Sequence, residues 1–100
     1  MTNEAYQYKF GSGVSLRDAI ESLYLAIFAS EGLHGRAQVL LDAGYFFDKA
    51  KRTIVIDGGT ATGQSISQIF TALLARQFGE GAFKVEHVFG SPQAIGWRRP

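Results

Sequence analysis

The sequence contains no cysteine, and among its 100 residues it has only two prolines, one methionine and one tryptophan. The absence of cysteine excludes disulfide bonds, thiolate metal sites and a cysteine nucleophile. It is compatible with a reducing cytoplasm, where we expect the protein to act. Neither sign of charge is in large excess, since the formal net charge is +1. So weak a field predicts neither nucleic acid nor an anionic membrane as a partner.

Long hydrophobic runs are missing as well. The longest apolar run, residues 23–29, has seven residues, whereas a transmembrane helix needs about 20. The first ten residues are polar and alternating, without the pattern of a secretory signal peptide. What the chain does have is an ordinary globular composition with 46% hydrophobic residues, eight Phe and four Tyr. At this length, that composition indicates one domain with one hydrophobic core.

The order of the hydrophobic periods indicates the fold. Two-residue alternation is typical of half-buried strands, and a period of 3.6 residues is typical of amphipathic helices. The two periods follow one another along this chain in the order β-α-β-β-α-β. We predict strands over residues 5–10, 35–47, 53–57 and 83–89, and helices over residues 15–32 and 61–78. This order predicts an α+β domain of the ferredoxin-like kind, a four-stranded antiparallel sheet with two helices on one face.

The domain is predicted to span residues 1–89, with residues 90–100 as a flexible C-terminal tail, because the periodic pattern stops at Gly90. The tail contains Trp97 beside two arginines, and a contact site for a partner or a phosphate is the alternative interpretation of that segment. Within the domain, the first and third predicted strands are expected in the centre of the sheet. The second and fourth predicted strands are expected at its edges.

The predicted core lies between the helices and one face of the sheet. The spacing predicts that the tyrosines and the phenylalanine of the first strand pack under the helices. It also predicts one inward stripe on the first helix, formed by Leu16, Ile20, Leu23, Tyr24, Ile27 and Phe28. The opposite face of the sheet is too apolar for a plain solvated surface and too charged for a core. We therefore predict a homodimer interface there, formed by Leu40, Phe46, Val55 and Val88. A shallow ligand platform is one alternative, and scattered exposed apolar side chains are the other.

One turn carries residue types that suit ligand chemistry. Residues 53–65 read T-I-V-I-D-G-G-T-A-T-G-Q-S, an apolar strand followed by a glycine-rich turn that opens a helix. Such a layout gathers backbone N–H groups at a helix N-terminus, where the helix dipole favours an anion. The candidate anion-binding residues are Asp57, Gly58, Thr60, Thr62, Gly63 and Ser65. The alternative is a strand-to-helix turn with a threonine cap, which uses the same residue types.

This turn resembles the PRPP-binding motif of phosphoribosyltransferases, in which an apolar strand and two acids precede a Thr-Gly-x-Thr/Ser loop. Asp57 matches the first acid, Gly58 stands in the place of the second, and residues 62–65 match the loop. The resemblance implies that Asp57 faces ribose hydroxyls. It also implies that Thr62, Gly63 and Ser65 hold a 5′-phosphate.

No catalytic or metal-binding constellation is visible in the sequence. The two histidines, His34 and His87, have no second ligand at helical or strand spacing, and no nucleophile elbow accompanies any serine. We therefore expect a small non-catalytic interaction or ligand-binding module that self-associates and uses no cofactor. The alternative function is a phosphate- or nucleotide-binding protein that uses the turn at residues 57–65.

Overall fold

The computed structural model describes residues 4–89. The described elements, in chain order, are β1 (Glu4–Phe10), α1 (Leu16–His34), α2 (Arg36–Asp42), β2 (Tyr45–Asp48), β3 (Thr53–Asp57), α3 (Ala61–Phe78), a 3-10 turn (Glu80–Ala82) and β4 (Phe83–Phe89). The protein has an α+β fold, as predicted. The predicted tail, residues 90–100, lies outside the described residues.

The four strands form one open antiparallel sheet, which confirms the predicted sheet type. The strand order is β2-β3-β1-β4, and every neighbouring pair is antiparallel. The strands β1 and β3 are therefore central, and β2 and β4 are the edges. Ile54 and Ile56 of β3 are buried, as suits a central strand that is covered by helices.

The core lies between the helices and one face of the sheet. Tyr8 and Phe10 of β1 are buried on this face together with Leu23 of α1 and Phe70 of α3. The rings of Tyr8 and Phe70 meet edge to face, with their centroids 4.8 Å apart. Fully burying one large apolar side chain stabilises a fold by about 1.5–3 kcal/mol. These contacts confirm that β1 turns its tyrosine and phenylalanine side chains toward the helices.

The helix α1 begins where the sequence predicts but turns a different stripe inward. The Ser15 hydroxyl accepts a hydrogen bond from the backbone N–H of Asp18 at 3.2 Å, the expected cap. Phe28, however, is 71% exposed and Tyr24 is 48% exposed, so the prediction that both lie in the core is wrong. The buried stripe of α1 is narrower than predicted and is shifted toward small residues, because α3 packs closely against it. Its members are Ala19, Ser22, Leu23, Ala26, Ile27 and Ser30.

The predicted long strand over residues 35–47 is wrong. Residues 36–42 form the helix α2, and only residues 45–48 are a strand. Arg, Ala, Gln and Leu all favour helix, so the local preference outweighs an alternation that arose by chance. Gly35 separates α1 from α2 with φ +84°, a conformation that favours glycine. Leu40 therefore lies on α2 and not on the sheet, so its predicted place on the open sheet face is wrong.

Candidate functional site

The turn between β3 and α3 is held by its own side chains. The Asp57 carboxylate accepts a hydrogen bond from the backbone N–H of Gly59 at 3.0 Å. The hydroxyl of Thr60, the N-cap of α3, accepts one from the backbone N–H of Gly63, also at 3.0 Å. Two of the N–H groups that an anion would need are thus already bonded within the turn.

The two central glycines are required by packing. A Cβ atom on Gly63 would lie 1.9 Å from the carbonyl oxygen of Asp57, because the first turn of α3 rests directly on the end of β3. A Cβ atom on Gly58 would lie 2.5 Å from the ring of Tyr6. The space beside each glycine is therefore filled by the protein itself and is not a gap for a ligand.

The hydroxyl groups of Thr62 and Ser65 point toward α2 and α1. Thr62 is buried, and its hydroxyl donates to the Asp42 carboxylate at 3.3 Å. The Ser65 hydroxyl lies 2.9 Å from Nε2 of His34. The structure thus brings all the predicted residues together, but it ties their side chains to neighbouring elements. Neither Asp42 nor His34 was predicted at this site. Asp42 belonged to the predicted strand over residues 35–47, and His34 lay beyond the predicted end of the first helix at residue 32, whereas α1 continues to His34.

The Ser65–His34 contact is the one pairing of a hydroxyl with an imidazole at this site. Nucleophilic catalysis requires that the imidazole is in turn oriented by a third group. Within residues 4–89, no carboxylate bonds to His34. The pair therefore serves to fasten the end of α1 to α3. The described part of the chain also holds no group of three or more His, Asp or Glu side chains that would bind a metal ion.

The predicted interface residues are divided between two surfaces. Phe46 of β2 and Val55 of β3 are cross-strand partners on the open sheet face, and both are half-buried. Val88 of β4 lies on the same face opposite Ala5. Lys9 and Lys84, which are also partners in the sheet, are exposed at the other end of this face. The open sheet face is therefore a small apolar strip with a charged border.

A larger set of exposed apolar side chains lies on the helices. Of the eight large hydrophobic residues that are exposed within residues 4–89, six are on α1 and α2. Monomeric proteins rarely expose contiguous apolar patches larger than a few hundred Å². The six exposed apolar side chains on α1 and α2 are between 45% and 72% exposed. They are Tyr24, Leu25, Phe28, Leu33, Leu40 and Leu41.

Comparison of the chain with models of protein families, with curated proteins and with solved structures finds no match. Among the described helices, none has both the length and the hydropathy that a membrane crossing requires.

Proposed function

We propose that the protein is a small non-catalytic interaction module that forms a homodimer through the outer face of α1. The observation that carries this proposal is the exposure of Phe28, at 71%, and Leu25, at 58%, on a helix whose other side is fully packed. A helix that is apolar on both sides has a second face to bury, and that face is the natural contact for a partner.

The outer residues of α1 follow the spacing of a helix-packing seam. Asp18, Glu21, Leu25, Phe28 and Gly32 are separated by three, four, three and four residues, which is the period of knobs-into-holes packing between two helices. The C-terminal half of this seam is apolar. We call Leu25, Phe28 and Gly32 the outer seam.

A second copy of the chain fits the outer seam in an antiparallel arrangement. A two-fold axis between Leu25 and Phe28 would set the phenyl ring of each chain against Leu25 of the other, so that one patch meets itself. The same axis would set Gly32 opposite Glu21, where the absence of a side chain leaves room for the glutamate to reach solvent. A net charge of +1 does not oppose the approach of two copies.

The fold itself is proposed to be a ferredoxin-like sandwich with α2 added between the first helix and the second strand. The support for this assignment is the central position of β1 and β3 and the packing of α1 against α3. The cytoplasm remains the proposed location.

The test is the molar mass in solution, measured by light scattering on a gel-filtration column. We expect a dimer for the wild type and a monomer for Phe28→Glu, because a carboxylate in the centre of the seam would be buried without a partner. Leu41→Glu is the matched control, since Leu41 is 72% exposed and lies on α2; this variant should stay dimeric.

The open sheet face is tested in the same experiment. Val55→Arg introduces a charge into the apolar strip formed with Phe46. A dimer that survives Phe28→Glu but dissociates in Val55→Arg would place the interface on the sheet and refute the outer seam. A wild-type chain that is monomeric at every concentration tested would refute self-association altogether.

A further inference from the structure

A groove lies between α3 and β4 on the helix side of the sheet, away from the outer seam of α1. Its volume is about 360 Å³, and Tyr6 and Val85 line it on the sheet side while Gln64, Gln68 and Thr71 line it on α3. It exists because α3 covers the central strands but does not reach over the edge strand β4, whose Val85 remains 42% exposed. We call it the α3–β4 groove.

The sheet side of the groove is bordered by a row of aromatic rings. The rings of Tyr6 and His87, which are cross-strand partners, are stacked with their centroids 4.8 Å apart and their planes inclined by only 12°. The ring of Phe89 follows at 4.8 Å from that of His87, with its plane inclined by 43°. His87 and Phe89 are both exposed, so the row offers aromatic rings beside the groove, and heterocyclic bases stack on such rings.

The helix side of the groove offers neutral hydrogen-bonding groups. Gln68 is exposed, and its amide presents one donor group and one acceptor side by side. Gln64 uses its amide nitrogen to donate to the carbonyl oxygen of Gly58 at 3.2 Å, which holds that side chain in place and leaves its oxygen as an acceptor. Among residues 4–89, no Lys, Arg, Asp or Glu side chain lines the groove.

These features select a narrow class of ligand. A volume of this size is at the lower end of the range for small-molecule sites, about 300–1,000 Å³, and suits one fused-ring heterocycle. The neutral lining favours an uncharged ligand, since a buried charge requires a partner. A glutamine amide pairs in bidentate fashion with the edge of adenine, where an amino group stands beside a ring nitrogen. We infer that the α3–β4 groove binds an adenine-type base or nucleoside, packed against the side chains of Tyr6 and Val85 and held by Gln68.

The experiment is a titration of the full-length protein with adenosine, followed by two-dimensional NMR of the backbone amides. Binding should shift the amide signals of α3 and β4. It should leave those of α2 unchanged. Loss of a bidentate contact to a base weakens binding by roughly tenfold, so Gln68→Ala should raise the Kd of adenosine by at least this factor. Gln7→Ala is the matched control, because Gln7 lies on the opposite face of the sheet, and it should leave the Kd unchanged.

Two further ligands test whether the amino group of the base or a phosphate group contributes to binding. Inosine lacks the amino group that Gln68 would bond, so it should bind at least several-fold more weakly than adenosine. AMP should bind no more tightly than adenosine, because no Lys or Arg of the described part of the chain lines the groove to bind its phosphate. The assignment would be overturned if inosine bound as tightly as adenosine or if Gln68→Ala left the Kd of adenosine unchanged. It would also be overturned if millimolar adenosine caused no shift of the amide signals. Tighter binding of AMP would also overturn it, in favour of a phosphate site at the turn that begins α3.

Discussion

At the scale of single residues, the glycine-rich turn shows what sequence can and cannot predict. The strand end, the threonine cap and the helix start were all predictable, because each depends on neighbours within a few positions. The contacts of Thr62 with Asp42 and of Ser65 with His34 were not. They join residues 20 and 31 positions apart, and no local pattern encodes that meeting.

The close approach of Gly63 to Asp57 leads to a prediction about stability. Gly63→Ala should lower the free energy of unfolding by about 3 kcal/mol or more, at or beyond the upper end of what overpacking a well-filled site usually costs. The reason is that the added Cβ would meet a backbone oxygen at 1.9 Å, which cannot turn aside as a side chain would. Urea unfolding monitored by circular dichroism measures the change.

Gly13→Ala is the control for this experiment. A Cβ atom at Gly13 meets nothing within 4 Å. The urea midpoint of the Gly13→Ala variant should therefore equal or slightly exceed that of the wild type. A Gly63→Ala variant as stable as Gly13→Ala would show that α3 does not rest on the end of β3. The same geometry means that a large substitution at Gly63 would damage the fold itself, so such a variant cannot report on phosphate binding.

Tyr8 is the residue whose ionisation is coupled to folding. Burial raises the pKa of its phenol above the usual 10.0, although hydrogen bonds with the side chains of Ser67 and Thr71 act in the opposite direction. Its hydroxyl also donates to the carbonyl oxygen of Ser67 at 3.1 Å and lies 2.8 Å from the Thr71 hydroxyl. The neutral phenol is therefore the form that the fold holds.

A pH dependence follows from this pKa. Below pH 10.0 the phenol is protonated in both states. Above it, the unfolded chain releases the proton while the folded chain retains it. The free energy of unfolding should therefore fall as pH rises, by up to about 1.4 kcal/mol per pH unit for this group. The test is to measure the free energy of unfolding one unit below and one unit above pH 10.0, in the wild type and in Tyr8→Phe. The decrease between the two pH values should be larger in the wild type, and an equal decrease in both proteins would contradict the prediction.

At the scale of elements, the structure confirms those predictions that depend on a continuous pattern. The helix α3 and the strands β3 and β4 lie where the periods place them, Ala61–Phe78, Thr53–Asp57 and Phe83–Phe89. The prediction of one long strand over residues 35–47 was wrong, because two short elements, α2 and β2, follow one another there. A seven-residue helix with one buried side chain, Val39, carries too few apolar positions to distinguish a period of two from one of 3.6.

The break between α1 and α2 gives a prediction at this scale. Gly35→Ala should destabilise the protein by about 1–3 kcal/mol, because a φ of +84° strains any residue that has a Cβ atom. A Cβ atom there meets nothing within 4 Å, so the cost is purely conformational. Thermal unfolding of the variant measures it.

Gly81→Ala provides the comparison for Gly35→Ala. Gly81 lies in the 3-10 turn, has no positive φ and has open space beside it, so alanine should leave stability unchanged or raise it by about 0.4–1 kcal/mol. If Gly35→Ala were as stable as Gly81→Ala, the two helices would not be separated by a left-handed residue. In that event the position of α2, and with it the contact of Asp42 with the turn, would need revision.

At the scale of the whole molecule, the distribution of apolar surface is the main result. The hydrophobic pattern of the sequence predicts self-association through the open sheet face. The structure shows that Phe46, Val55 and Val88 on that face are half-buried, while Phe28 and Leu25 on α1 are far more exposed. The sequence could not have shown this, because the two stripes of α1 are both apolar and only the position of α3 decides which one is covered.

A dimer held by the outer seam makes stability depend on protein concentration. Dissociation accompanies unfolding, so each tenfold rise in concentration should favour the folded dimer by about 1.4 kcal/mol per mole of dimer. For a domain of this size that raises the Tm by a few degrees. Phe28→Glu should abolish this dependence while Leu41→Glu retains it. A wild-type Tm that is constant over a hundredfold range of concentration would mean that the folded chain is a monomer, and the exposed seam would then have no partner in a second copy.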